Sequence, residues 1–351
     1  MMRLRHGLSV LAAASLTAGG ALAQDWITPE SCRVAPEDLG ATRMPDPEAA
    51  EVGRAAAHSP NGLGRLWRIT TPEGAVSHLW GTLHSSDPAI LVLPPELEAV
   101  LAEARTVVLE SDPRAKSRTE LEERFLQAGV WLAPEHMPYD KPYLSGVERD
   151  WVEARIEGIF HEAGAFAALT DAGLASYLMT DPCEDFAAGA LPVQDHRLLL
   201  AAVERGVEVD ALEDWDALLV ELSQPDRRDT AQAIVRIHGA YLNPDGFSPA
   251  RAAAFRLYRE GRIGELMEWN RRYLAGLFGP AEAKALMARA DGYLIDDRNE
   301  IFLRRMKKYL ASGGALIAIG AFHLPGDGGL VARLRDEGYQ VDRVAVRGEA
   351  G

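Results

Sequence analysis

Strands and helices alternate at both ends of this sequence, and a long block with helical periodicity separates them. Few architectures accept that order. On the N-terminal side, Gly64 to Thr71 reads as a strand, Pro72-Glu73-Gly74 as a turn, and Val76 to His84 as the second arm of a hairpin. Pro94-Pro95 opens a helix that runs to Glu103, proline being tolerated in a first turn. Arg105 to Asp112 is then a short buried strand. At the other end, a helix from about Leu294 carries Ile295, Phe302, Met306 and Leu310 on one stripe and stops at Gly313-Gly314. The apolar strand Ala315 to Gly320 follows, then a helix over 326–337 and a closing strand over 339–346. In between, 117–128, 147–161, 167–180, 195–205, 226–242, 249–260 and 263–274 have helical spacing, interrupted by one strand, Val207 to Leu212. The expected fold is α/β, with a central sheet built from the N- and C-terminal strands and a largely helical insertion at about 116–304. A single domain over 63–346 holds this fold. Before it, 24–62 is rich in Pro, Ala and Glu without a sustained period and reads as an extended segment.

The first two dozen residues carry an address. Met1 to His6 holds Arg3 and Arg5 and no acid, Gly7 to Leu22 is apolar and small, and Ala21-Leu22-Ala23 offers a small-x-small cleavage pattern. That is the layout of a secretory signal peptide over 1–23. A membrane anchor is the other reading, but Ser15, Thr17 and a glycine pair interrupt the stretch, which lacks the ~20 apolar residues of a span. The chain is therefore expected outside the cytoplasm, periplasmic or secreted, with no stable membrane insertion after cleavage. In such a compartment its two cysteines, Cys32 and Cys183, invite one disulfide; two separate buried thiols are the alternative. A formal net charge of −15 with no basic stripe argues against nucleic acid or anionic lipid as a partner. A peptide or small-molecule substrate remains.

Two Gly-x-x-His turns are the centre of the chemical case: Gly81-Thr82-Leu83-His84 and Gly320-Ala321-Phe322-His323. Each follows an apolar strand, and ligands in open α/β sheets collect beyond the carboxyl ends of strands. The glycine is expected to let the chain turn, presenting the histidine above the rim. Glu110, with Asp112 just after it, ends one strand and Glu213 ends another, so the same rim would receive carboxylates. Imidazole plus carboxylate is the ligand set of a hydrolytic divalent metal (manganese, cobalt or zinc), and water on such a metal is a ready nucleophile. The plainer reading of Glu110 or Glu213 is a structural ion pair with an arginine. Arg298-Asn299, at a helix start, suits an oxyanion or a substrate carboxylate; Asp296-Asp297 just before it reads as an N-cap. Asp195, followed by His196, reads as a cap first and a ligand second.

Other chemistries lack their residues. The glycines from Gly320 to Gly329 have no Lys-Ser/Thr of a phosphate loop, no Gly-x-Ser-x-Gly elbow is present, and no His-Glu-x-x-His helix exists. His58, His136, His161 and His238 stand alone.

With these residues in hand, the chain resembles the TraB/PrgY/GumN family. The resemblance rests on Leu79 to His84, Val107 to Asp112, Asp195, Leu212-Glu213, Arg298-Asn299 and Ile319 to Gly326, and covers Leu63 to Val346. Proteins of this kind resemble the animal TIKI proteases, which cleave Wnt proteins and depend on manganese or cobalt. They are also similar in fold to erythromycin esterases and to the ChaN haem-binding lipoproteins. The resemblance implies a metal or hydrolytic site with His84, Glu110 and His323 at its core, assisted by Arg298 and Asn299. It thereby suggests a metal-dependent hydrolase, a peptidase first. A non-catalytic binder of a peptide, haem or small ligand and a metal-independent esterase stand as the alternatives.

Overall fold

The computed structural model describes residues 27–33, 46–111, 129–130, 140–160, 162–183, 193–214 and 216–350. The expected export signal, the helical stretch at 117–128 and Asp112 lie outside these residues. No helix among the described residues is long and apolar enough to cross a membrane.

Six strands form one mixed sheet: β1 (Leu66–Thr70), β2 (Val76–Thr82), β3 (Thr106–Ser111), β4 (Glu208–Glu213), β5 (Ala315–Gly320) and β6 (Gln340–Val344). Their order across the sheet is β4-β3-β5-β2-β1-β6. The hairpin β1–β2 and the pair β1–β6 are antiparallel, whereas β2–β5, β3–β5 and β3–β4 are parallel. Four neighbouring strands therefore end on one rim.

Side chains alternate across each strand, so each face of the sheet builds its own core. Leu79, Val108, Ile317 and Ile319 meet Phe302, Met306, Leu310, Leu330 and Leu334 on one side. Trp80, Val107, Leu109, Leu316 and Ala318 meet Leu97, Leu101, Leu198 and Ala202 on the other. This explains why β5 is apolar throughout: it is buried on both faces. Each large side chain so buried contributes roughly 1.5–3 kcal/mol. The helix Arg298–Ser312 ends at Gly313 and Gly314, both at positive φ, where a Cβ on Gly314 would lie 2.5 Å from Arg105 Nε.

The α/β expectation holds, with one change to its sheet. β4 comes from inside the insertion and pairs with β3 as the edge strand, so the insertion contributes to the sheet as well as capping it. The rest of the insertion gathers around a separate core that includes Ile156, Phe166, Leu174, Ile234, Val235 and Tyr293.

Several element boundaries differ from the sequence reading. The N-terminal segment is not simply extended: it contains the helices Pro29–Cys32 and Asp46–Ala56. The second packs on the helix Ile263–Phe278, burying Val52 and pairing Glu51 with Arg272 at 3.0 Å. One or two apolar anchors leave no periodic signal, and docking supplies what propensity does not. The stretch 167–180 is two helices, because Thr170 accepts from Gly173 N at 3.0 Å and starts a new one at Asp171. Helices Ala217–Leu222 and Pro280–Asp291 were not expected. The final long helix begins at Arg298, after a π-helical turn over Gly292–Asp297, and Asp297 caps it with no side-chain hydrogen bond.

Cys32 and Cys183 are joined by a disulfide across 151 residues, tying the N-terminal segment to the insertion. Closing so long a loop in the unfolded chain is worth up to about 5 kcal/mol by chain entropy. Reduction should therefore lower the thermal midpoint markedly, and Cys183→Ser should melt where the reduced wild type does. Calorimetry with and without reductant checks this, and an unchanged midpoint would contradict it.

Candidate functional site

Two histidines from distant parts of the chain meet because their strands are neighbours. β2 and β5 run parallel with Gly81 opposite Ile319 and Thr82 opposite Gly320, so both Gly-x-x-His turns leave the sheet side by side. Neither glycine has positive φ, which corrects the expectation of a sharp turn. Gly81 is required by close approach: a Cβ there would lie 2.8 Å from Leu324 Cδ1 and 3.0 Å from Ala321 Cα. Gly320 faces the site. A Cβ on it would stand 3.3 Å from Glu110 Oε2, 3.5 Å from His84 Nε2 and 3.5 Å from His323 Cδ2.

Glu110 reaches this point from β3, on the same face as Val108 and the helix Arg298–Ser312. Its Oε2 accepts from Gly320 N at 2.7 Å and lies 3.9 Å from His84 Nε2, while Oε1 accepts from Arg298 Nη2. Arg298 is itself buried, and also donates to Glu213 and, at 3.2 Å, to the Leu294 carbonyl. Its Nε and Nη2 are committed to the two carboxylates, so it holds Glu110 and Glu213 in place. The structural ion pair weighed for both glutamates is present.

Asn299 likewise has a positioning role. Its amide donates to Gly328 O at 3.0 Å, which sets its orientation, and its Oδ1 lies 2.8 Å from His323 Nδ1. His323 therefore carries its proton on Nδ1 and keeps Nε2 free as an acceptor. Asp195 stands beside His84 as an ion-pair partner, with Oδ2 3.0 Å from Nδ1 and Oδ1 accepting from Thr82 Oγ1 at 3.0 Å. Asp195 sits in the first turn of the helix Gln194–Glu204, where the helix field favours its charge. Its part in the site is larger than the capping role expected.

Burial and charge sort the protonation states. Asp195 is the main cause of a His84 pKa raised to about 9, assisted by Glu110 and opposed by burial and Arg298. Burial lowers His323 to about 3, which keeps it neutral. Burial would raise Glu110, but Arg298, the two imidazoles and the Gly320 amide outweigh it and hold the carboxyl well below the usual range. Burial also moves Glu213 upward, against Arg298.

Two residues that sequence reasoning passed over build the floor. Gln194 Oε1 accepts from Trp80 Nε1 at 3.2 Å and Leu83 N at 3.3 Å, and its amide donates to Ile90 O at 2.7 Å. The Tyr258 hydroxyl lies 2.6 Å from the same Oε1 and 2.8 Å from Gly81 O. Together they fix the loop that carries His84. A glutamine in a helix's first turn and a tyrosine in a helix's last turn give no pattern to notice; adjacency to Asp195 was the one available hint.

The donor set suits a divalent cation in type and orientation. Both imidazoles are held through Nδ1 by an oxygen, the arrangement that presents Nε2 to a metal, and Glu110 adds one negative oxygen beside them. His84, Glu110 and His323 are the residues that could hold it, although no three such side chains among the described residues already stand at metal-ligand spacing. Beside His84, whose ring is 54 % exposed, a cavity of about 380 Å³ opens into the helical insertion.

A raised His84 pKa has a consequence that can be measured on chelated protein. Its stabilising contribution is full below the unfolded value near 6.5 and fades as pH rises through about 9. The His84 ring should titrate near 9 by NMR and return toward 6.5 in Asp195→Asn. An unshifted ring in both proteins would refute the assignment.

The TraB/PrgY/gumN family model matches residues 65–343. No curated protein and no solved structure is significantly similar to the chain. The match runs from Arg65, just before β1, to Arg343 in β6, enclosing every strand-end residue described above. The chain belongs to the TraB/PrgY/gumN family.

Proposed function

We propose that the protein is an exported, metal-dependent hydrolase acting on acyl bonds, a peptidase first among them. One observation carries this reading: His84 Nε2, Glu110 Oε2 and His323 Cδ2 all lie within 3.5 Å of one point beside Gly320, and His84 also lines a cavity. The disulfide fits an oxidising compartment, and the basic-then-apolar N-terminus fits export.

The chain's own groups divide the work. Glu110, held ionised, offers an anionic oxygen to a cation and does not donate a proton. His323, held neutral by burial and fixed by Asn299, offers a lone pair at Nε2. His84 is oriented by Asp195, which also stabilises positive charge on the ring. A divalent cation held by His84, Glu110 and His323 would supply Lewis-acid activation of water at neutral pH. Arg298 and Asn299 keep these ligands in register, a supporting role that in metal sites is typically worth 10- to 100-fold in affinity or activity. The strong His84–Asp195 pair also favours a second reading, in which that pair alone moves the proton and no metal takes part.

The test is hydrolysis of a peptide pool with added manganese or cobalt, against a chelated control. Activity should vanish on chelation and return with metal. His84→Ala and His323→Ala should each abolish it, Glu110→Gln should cost about 100-fold or more, and Asn299→Ala should weaken metal binding about 10- to 100-fold. Full activity after exhaustive chelation would favour the metal-free reading. Activity surviving the double histidine substitution would sink both.

A further inference from the structure

We infer that the cavity beside His84 receives a neutral, apolar acyl chain of the substrate, attached next to the bond that is cut. The inference rests on the hydrolase reading for the position of that bond, and on the cavity itself for the chemistry of what fills it.

The cavity begins at Leu83, His84 and Ser85 and runs between helices of the insertion, so a group inside it is joined to an atom at the site. Its walls are mainly aliphatic and aromatic, with Leu178, Phe255, Trp269, Leu294 and Phe322 among them. Trp269 and Tyr241 belong to one run of stacked rings, each within 6 Å of Tyr273, which gives a flat and rigid wall. The polar groups present offer little to a charged guest. Arg251 is paired with Asp181 at 2.6 Å and lies over the Phe255 ring, and Asp181 also accepts from Ser85 Oγ at 3.0 Å. His238, which also lines it, is pushed by burial toward its neutral form, while Asp291 sits at an exposed edge of the lining with its carboxyl raised to about 6. A charged group set against these apolar walls would lose its hydration.

Size narrows the class. About 380 Å³ lies at the small end of the roughly 300–1,000 Å³ usual for small-molecule pockets. Most amino-acid side chains fill less than that. An acyl chain of around ten carbons, carried as an amide or ester, fills it.

The test separates the cavity from the chemistry by measuring binding first. N-acetyl-, N-hexanoyl- and N-decanoyl-alaninamide and N-acetyl-tryptophanamide are titrated into the full chain by calorimetry. Affinity should rise at least tenfold from acetyl to decanoyl, and decanoyl should exceed tryptophan. Ala254→Phe, which fills the cavity from its wall, should remove at least tenfold of the decanoyl affinity; Met267→Trp repeats the experiment if that variant does not fold. Equal affinity across the chain lengths, or equal affinity for tryptophan and decanoyl, overturns the inference. Decanoyl binding with no cleavage of decanoyl peptides in metal-loaded protein leaves the cavity assignment standing and overturns the hydrolase reading. Cleavage of peptides without any chain-length preference does the reverse.

Discussion

A guanidinium buried between two carboxylates organises the rim of this protein. Arg298 reaches Glu110 on β3 and Glu213 on β4 from the first turn of the helix that leads into β5. Three chain segments are thereby locked together where the sheet meets the insertion. Two carboxylates that close would repel each other, and in a buried setting one of them would protonate. The arginine prevents this for Glu110 and leaves Glu213 the more easily protonated of the two. Removing one partner from a buried ion pair typically costs about 3–5 kcal/mol. Arg298 therefore belongs to the stability of the site as much as to its charge.

Around that anchor the site is assembled by pairs, each reactive group having its own holder. Asp195 serves His84, Asn299 serves His323, and Gly320 N–H with Arg298 serves Glu110. The holders come from helices packed on opposite faces of the sheet, one with Leu198 on the face of Trp80, the other with Phe302 on the face of Ile317. Both layers must be in place before the histidines point where they do. This is the usual relation between a binding rim and the carboxyl ends of parallel strands, made stricter because the two imidazoles come from strands formed at opposite ends of the chain.

The parts legible in the sequence were those with local signatures. Strand periods, the apolar run of β5, the glycine pair after the last long helix and each Gly-x-x-His turn are each written within a few consecutive residues. The cysteine pair was legible as well, through its even count. What could not be read depends on contacts between distant segments. The helix Asp46–Ala56 exists by docking on Ile263–Phe278, and β4 joins the sheet edge only once β3 is there to pair with it. Arg298 and Asn299 suggested anion binding because they start a helix; that Arg298 pairs with Glu110 and Glu213 and Asn299 with His323 depends on distant segments and leaves no local pattern. Gln194 was hinted at only by its place beside Asp195, and Tyr258 not at all, since a hub of hydrogen bonds has no spacing along the chain.

Gly320 has a further meaning for how this architecture varies. Its backbone, at φ −47° and ψ 133°, is one that any L-residue adopts without strain. Nothing in the sheet demands a glycine, and three side chains converge on it. A methyl group there would keep the scaffold and stand in contact with His84, Glu110 and His323, lining the space between them with carbon.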